Sequence, residues 1–172
     1  ALTRLDRPLD PPLQIRIHST IPIASGLGSG AAIATAIVRA LAAHFARPLA
    51  DAEVSEVVYE SEKLYHGTPS GIDNSVIAHA RPVFFVRGEA LQTLAVPVPF
   101  TLVIGDTGVP SPTKVAVGAV RAAWQADPVR YEILFDRAGA LARQARAAIE
   151  SGQLGGLGAL LDENQAILAQ MG

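Results

Sequence analysis

The sequence predicts an α+β protein of two domains, with residues 1–98 in the first domain and 99–172 in the second. Apolar residues make up 49% of the 172-residue chain and charged residues 17%, so it can bury a core. The first part alternates strand and helix patterns, whereas the second opens with one strand and is then almost wholly helical. These helices have no strands to cover, so the second domain is expected to be cut short.

The composition excludes several classes of function. The net charge of −2 provides no basic field, which argues against nucleic acid as the main partner. The absence of cysteine excludes disulfides, thiolate catalysis and zinc–thiolate sites. No apolar run is long enough to span a membrane, and no signal peptide is evident, so we expect a cytoplasmic protein without a membrane partner. The chain starts at Ala1 and its only methionine is Met171, so we expect an incomplete chain.

The first elements are a strand and a buried helix. Residues 13–19 alternate apolar and polar side chains, which predicts a half-buried strand. Residues 31–45 repeat apolar side chains every four positions and carry few polar ones, which predicts a helix buried on most sides.

A glycine-rich loop, residues 21–32, joins these two elements. Three glycines within five residues require a sharp bend or a close approach of the backbone. Such a loop before a helix exposes backbone N–H groups at the positive end of the helix dipole, which is typical of phosphate sites. A tight strand-to-helix connection explains the glycines equally well, and both alternatives remain open from the loop alone.

A second helix is predicted over Ala52–Tyr65, with Asp51 as its N-cap. Glu62 lies one turn after Val58 on the apolar stripe of this helix. A glutamate on an inward face is costly unless it is paired or binds a cation. The alternative is that Glu62 lies near the helix end and reaches solvent.

The polar stretch after this helix leads into a short third helix that ends near His79. Ser70 and Asp73 have the S-x-x-D spacing of a capping box, which is a structural explanation for Asp73. Two strands follow over residues 82–86 and 91–96.

The second domain is predicted to open with a buried strand over residues 100–106. A loop over residues 107–114 follows it, and three helices complete the chain. Their predicted ends are near Gln125, Glu150 and Gln170.

Two common nucleotide loops do not fit. Gly26, Gly28 and Ala31 match G-x-G-x-x-G/A formally, but the strand ends about seven residues too early for a dinucleotide fold. The P-loop pattern is absent, because no lysine follows these glycines.

Three segments in order resemble motifs of the galactokinase, homoserine kinase, mevalonate kinase and phosphomevalonate kinase superfamily. Residues 22–31 (PIASGLGSGA) resemble its second motif, P-x-G-x-G-L-G-S-S-A. Residues 62–74 are similar to the E-x-x-x-H-G-x-P-S-G-x-D-N pattern of the mevalonate kinases. Residues 106–114 resemble their D-T-x-x-P-x-x-T-K/R segment. The resemblance covers about residues 13–125.

This resemblance implies a two-domain small-molecule kinase, with a ribosomal-protein-S5-like N-terminal domain and a ferredoxin-like helical C-terminal domain. It implies ATP-dependent phosphorylation of the 5-hydroxyl of mevalonate, with ATP and Mg²⁺ as cofactors, and allows a homodimer. The family's N-terminal lysine motif and C-terminal glycine-rich motif are absent from these residues. The chain is therefore expected to be truncated at both ends and to have little activity alone.

The resemblance also implies roles for individual residues. Asp73 takes or orients the proton of the attacking hydroxyl, and Glu62 and Ser29 bind the metal. Gly30 stands where the family has a second serine that ligates Mg²⁺, so either Ser29 or a water is expected to take over or the affinity for the metal is expected to be weaker. The ATP phosphates are bound by Pro22, Ala24, Ser25, Gly26, Leu27, Gly28, Ser29, Gly30 and Ala31. The substrate side is shaped by His66, Ser70 and Thr113.

Two alternative functions remain open. One is another activity of the superfamily, phosphomevalonate kinase or diphosphomevalonate decarboxylase. The other is a non-catalytic small-molecule sensor on the same fold, which the glycine at position 30 and the missing motifs leave open.

Overall fold

The computed structural model describes residues 12–22, 26–66, 69–105, 108 and 113–172. These residues form two compact units. The first runs to Thr93 and includes Gly108, and the second begins at Leu94.

The first unit contains three helices and one hairpin. The helices are α1 (Ser29–His44), α2 (Asp51–His66) and α3 (Ile72–His79), and each packs against the other two. The hairpin pairs β1 (Val83–Phe84) with β2 (Gln92–Thr93) in antiparallel register. All three helices and the hairpin were predicted, although each strand is only two residues long.

The core of the first unit lies where its helices meet. Val54 and Val58 of α2 are completely buried there. They pack with Ala31 and Val38 of α1 and with Ala78 of α3. The four-residue spacing of Val54 and Val58 explains why one face of α2 is buried. This core holds the beginning of α1 against the other two helices.

The prediction of a strand over residues 13–19 is wrong for the described residues. Ile15 and Ile17 are half exposed, and no described strand pairs with this segment. Only Leu13 packs, against Leu41 and Ala42 of α1. Alternation of side chains describes an extended chain, but a strand also needs a neighbour to accept its backbone hydrogen bonds.

The prediction of Asp51 as an N-cap is also wrong. Asp51 is the first residue of α2, and its carboxylate accepts a 2.7 Å hydrogen bond from Arg39 of α1. The N–H of the preceding Ala50 donates to the Glu53 carboxylate at 2.9 Å, which is the second half of a capping box.

The second unit is helical. Its helices are α4 (Thr113–Ala126), α5 (Pro128–Ser151) and α6 (Leu157–Met171), with a 3₁₀ turn over Leu154–Gly156. Asp127 caps α5 by accepting the Arg130 N–H at 3.2 Å. Tyr131, near the start of α5, donates to the carbonyl of Met171 at the end of α6, so these two helices run antiparallel. Leu134 and Leu141 of α5 bury Ile167 of α6 between them.

The predicted buried strand over residues 100–106 is not formed in its described part, residues 100–105. Leu102, Val103 and Ile104 are 62%, 94% and 71% exposed. The described residues are therefore mostly helical, with less sheet than the α+β prediction requires. None of the described helices has the length and apolar character to cross a membrane.

Candidate functional site

The described part of the glycine loop is shaped for the approach of an anion. Gly26 and Gly28 have φ angles of +76° and +68°, a left-handed conformation that glycine adopts without strain. Gly28 precedes α1, whose first hydrogen bond runs from the Ala32 N–H to the Gly28 carbonyl at 2.9 Å. Among the described residues no side chain caps this helix start, and its first turn holds no acidic residue. The first-turn N–H groups are thus available to a negatively charged group.

Glu62 lies against this helix start. The residue is only 8% exposed, so the inward-facing alternative for Glu62 is confirmed. Its Oε1 atom is 3.6 Å from the position that a Cβ on Gly30 would occupy. The fold therefore brings the last turns of α2 to the first turn of α1 and places a carboxylate oxygen beside the glycine loop.

Asp73 is exposed in the first turn of α3. Gly71, with φ +92°, precedes this helix, and no side chain caps it. The Ser70 hydroxyl accepts a 3.3 Å hydrogen bond from the Ile72 N–H instead. The capping box that offered a structural explanation for Asp73 is therefore not formed.

The third helix also contacts the glycine loop. The Ile77 Cδ1 atom lies 3.0 Å from where a Cβ on Gly28 would be. Ile77 follows Asp73 by four residues, so the two lie on the same face of α3, one turn apart. Asp73 is thus on the side of α3 that faces the loop, and it lies closer to the N-terminal end of α3 than Ile77 does.

Two contacts fix the segment that precedes α3. A Cβ on Gly71 would lie 3.2 Å from the Phe85 ring and 3.6 Å from the Tyr59 ring. Arg87 of the hairpin donates to the carbonyl of Pro69. The hairpin and α2 together therefore hold residues 69–71 in place.

The other predicted site residues differ in burial, and some lie outside the described part of the chain. Pro22 and Leu27 are exposed, whereas Ser29 is half-buried and Ala31 is in the core. Ala24 and Ser25 lie outside the described residues. His66 ends α2 and Thr113 begins α4, but the side chains of both lie outside the described part.

The donor set around Glu62 fits Mg²⁺ as kinases bind it. Within the described ranges, no group of three or more His, Asp or Glu side chains converges on one point. Mg²⁺ commonly uses one or two carboxylates together with substrate phosphates and waters, rather than an all-protein cage. A single buried carboxylate beside an uncapped helix start is compatible with that arrangement.

Sequence reasoning missed the polar contact behind Asp73. The Asn74 side chain is buried and donates to Ser55 of α2. The burial of Asn74 could have been predicted from the sequence, because Asn74 and the apolar Ala78 are four residues apart and share the inward face of α3. Nothing in that spacing identified Ser55 as the partner.

The family comparison agrees with the glycine loop. Residues 1–81 match the family model described as GHMP kinases N terminal domain, which covers the loop and Glu62. These residues therefore resemble the N-terminal domain of GHMP kinases.

Several mevalonate kinases resemble the chain beyond these residues. It is 32% identical over 162 residues to a mevalonate kinase of Aeropyrum pernix, with 94% of this chain and 50% of that protein covered. A mevalonate kinase of Pyrococcus furiosus is 30% identical, with 93% and 49% covered, and one of Arabidopsis thaliana is 28% identical, with 94% and 47% covered. The chain thus spans about half the length of these relatives.

A solved structure shows the same fold. The crystal structure of L. major mevalonate kinase in complex with R-mevalonate superposes with a TM-score of 0.71 at 30% identity. The match covers 84% of this chain and 45% of that one.

Proposed function

We propose that this chain is the central part of a mevalonate kinase, which transfers a phosphoryl group from ATP to the 5-hydroxyl of mevalonate. The observation that carries the proposal is the juxtaposition of Glu62 with Gly30 at the uncapped start of α1. Phosphoryl transfer needs positioning and neutralisation of charge more than covalent chemistry by the protein. Phosphoryl transfer therefore requires a carboxylate that binds the metal and N–H groups that bind the phosphates.

The proposed reaction uses three groups of this chain. The first-turn N–H groups of α1 and the glycine loop bind the phosphates of ATP. Glu62 holds Mg²⁺, which supplies positive charge against the phosphates when bound. Asp73 accepts the proton of the mevalonate hydroxyl while the hydroxyl oxygen bonds to the γ-phosphorus of ATP. The bond between the γ-phosphorus and the bridging oxygen breaks, and ADP leaves.

The substrate side is proposed to be formed by His66, Ser70 and Thr113, with Ser29 as a further ligand of the metal. This assignment rests on the family motifs, in which these residues follow the order of the mevalonate kinases. The nature of the substrate is supported by the resemblance to relatives named mevalonate kinase.

We also propose the two-domain arrangement, with residues 1–98 in the ATP-binding domain and 99–172 in the C-terminal domain. A cytoplasmic location and a homodimer belong to the same proposal. The resemblance to the kinase family supports all three.

The test is a coupled assay of ADP release by the protein that contains this chain at the length of its relatives. Mevalonate, phosphomevalonate and diphosphomevalonate are offered in turn with MgATP. We expect turnover with mevalonate alone. A preference for either phosphorylated substrate would assign the protein to another branch of the superfamily, and mevalonate binding without ADP release would indicate a sensor.

A further inference from the structure

A buried hydrogen-bonded connection joins α2 to α3 directly behind Asp73. The Asn74 side-chain nitrogen donates to the Ser55 hydroxyl oxygen at 2.9 Å and to the Ser55 carbonyl at 3.2 Å. Asn74 and Ser55 are only 5% and 8% exposed. A buried amide that lost both acceptors would keep its full cost of desolvation, so this contact strongly favours one relative position of the two helices.

The position of this contact relates it to the site. Asn74 directly follows Asp73, so its amide fixes the first turn of α3. Ser55 precedes Glu62 by seven residues, about two helical turns, and both are buried, so they lie on the same face of α2. The contact therefore links the turn that carries Asp73 to the helix that carries Glu62.

The other polar contacts of α3 lie elsewhere. The Ser75 hydroxyl donates to the Gly71 carbonyl at 2.6 Å and His79 contacts the Ser75 carbonyl, both within or next to the helix itself. Arg39 donates to the carbonyl of Ala78 at the far end of α3. Ile77 makes an apolar contact, which does not fix direction. Among the hydrogen bonds of the described residues, the Asn74–Ser55 pair is the one that joins the Asp73 end of α3 to α2.

We propose that Asn74 is a positioning residue, which sets the place of the Asp73 carboxylate relative to Glu62 through its two bonds to Ser55. The proposal rests on the proposed function, in which Asp73 receives the proton of the substrate. The chemistry of an amide suits this task, because it stays uncharged at all relevant pH values and one NH₂ group can serve two acceptors. An aspartate at this position has the same shape but, when ionised, offers no donor to the Ser55 carbonyl.

The first experiment measures steady-state kinetics of Asn74→Asp and Asn74→Ala in the protein at the length of its relatives. A misplacement of about 1 Å can cost about 100-fold in rate, so we expect kcat to fall by about this factor. The KM for ATP is expected to stay unchanged, because the glycine loop keeps its place. Ser55→Ala removes one of the two acceptors and should lower kcat less, whereas Ser55→Thr retains the hydroxyl and should restore it.

Thr35→Val is the matched control. Thr35 on α1 is 6% exposed, and its hydroxyl has no hydrogen-bond partner among the described residues. Removing that hydroxyl should raise the unfolding temperature and leave kcat unchanged. If the Asn74 variants lower only the unfolding temperature and keep kcat, Asn74 is merely structural and the proposal is overturned.

A second readout separates this proposal from the proposed function. Backbone amide exchange of residues 72–77 should increase about tenfold in Asn74→Ala without any substrate, as expected for local opening of α3, and stay unchanged in Thr35→Val. Unchanged exchange in Asn74→Ala would overturn the positioning role even where the protein is an active kinase. If exchange increases in Asn74→Ala but the wild-type protein does not phosphorylate mevalonate, the proposed function is overturned and the helix connection is retained.

Discussion

Gly30 is the residue at which this chain departs from the G-S-S-A pattern, and its surroundings give that departure a physical meaning. A Cβ at position 30 would contact Glu62 Oε1 at 3.6 Å, which is an ordinary van der Waals distance. Gly30 also lies within α1, where a side chain causes no backbone strain. The position thus has room for the second serine of the G-S-S-A pattern, and the serine hydroxyl would lie next to the carboxylate.

We predict that Gly30→Ser folds normally and binds Mg²⁺ more tightly, because a further oxygen ligand is added beside Glu62. The measurement is a Mg²⁺ titration of nucleotide binding, with the unfolding temperature recorded in parallel. Gly158→Ser is the control, since its Cβ would meet no atom within 4 Å and the residue belongs to the other unit. Loss of ATP binding in Gly30→Ser would show that the loop is aligned wrongly.

Asp73 is the second residue with a distinct expectation. It is exposed and takes no part in a capping box, so the isosteric change Asp73→Asn removes the proposed proton acceptor without removing a helix cap. We predict that kcat falls by about 10²–10⁴-fold, the range typical of a lost general base. ATP binding, measured by equilibrium titration, should remain normal. Turnover close to wild type would exclude Asp73 as the base.

At the scale of elements, the start of α1 depends on Gly28. Alanine at position 28 would need the left-handed conformation at φ +68° and would bring its Cβ to 3.0 Å from Ile77. The backbone cost alone is about 1–2 kcal/mol. We predict that Gly28→Ala destabilises the protein by more than Gly26→Ala, which has a similar φ but no neighbour within 4 Å. Denaturant unfolding of both variants measures the difference, and equal losses would show that α3 does not press on the loop.

The ion pair between α1 and α2 gives the stability of the first unit a dependence on pH. The hydrogen bond from Arg39 lowers the pKa of Asp51 below its ordinary value of 3.8, with desolvation opposing it. A carboxylate whose folded-state pKa is depressed adds stability above its unfolded pKa. That stability is lost as the pH falls through the folded-state pKa.

We therefore predict that Asp51→Asn is less stable than wild type at neutral pH, that the difference shrinks as the pH falls below about 3.8, and that it disappears below the lowered folded-state pKa. The effect should be small, because the pair is solvent-exposed. Urea unfolding at a series of pH values measures it. In an Arg39→Gln background the same change should have no pH-dependent effect, and a persistent effect would point to another partner of Asp51.

The helices could be predicted from the sequence and the strands only in part. The helices follow from apolar side chains recurring at i and i+4 and need only their own backbone for hydrogen bonds, so α2 and α3 appear where expected. A strand depends on a neighbour that local alternation does not reveal. Residues 13–19 and 100–106 were therefore predicted as strands but have no partner among the described residues.

The site shows the same division. Glu62 could be identified because a charged residue on an apolar stripe is visible in the periodicity, and the glycine loop because of its composition. The Asn74–Ser55 bond could not, since it joins residues 19 positions apart whose pairing depends on how α2 and α3 pack.

At the scale of the whole chain, the run Leu102–Ile104 is an exposed apolar segment. Such a segment offers apolar side chains to another copy of the chain. We predict that the 172-residue chain produced alone self-associates, and that Val103→Lys suppresses this, because Val103 is 94% exposed and its change disturbs no packing. Light scattering against concentration is the measurement. Val129→Lys, at a 74% exposed position on α5, is the control for added charge, and equal suppression by both variants would contradict a specific role of this segment.

The hairpin offers a consequence for experiment. A Cβ built on Gly88, in the turn of the hairpin, would have no atom within 4 Å, and the neighbouring Glu89 is exposed. Because the chain has no cysteine, Glu89→Cys would introduce the only thiol, and a fluorophore could be attached there without competing labels. Arg87, two residues away, holds the carbonyl of Pro69, so the dye would be mechanically coupled to the segment before Asp73. A dye at the hairpin tip would therefore report on movements of the segment before Asp73.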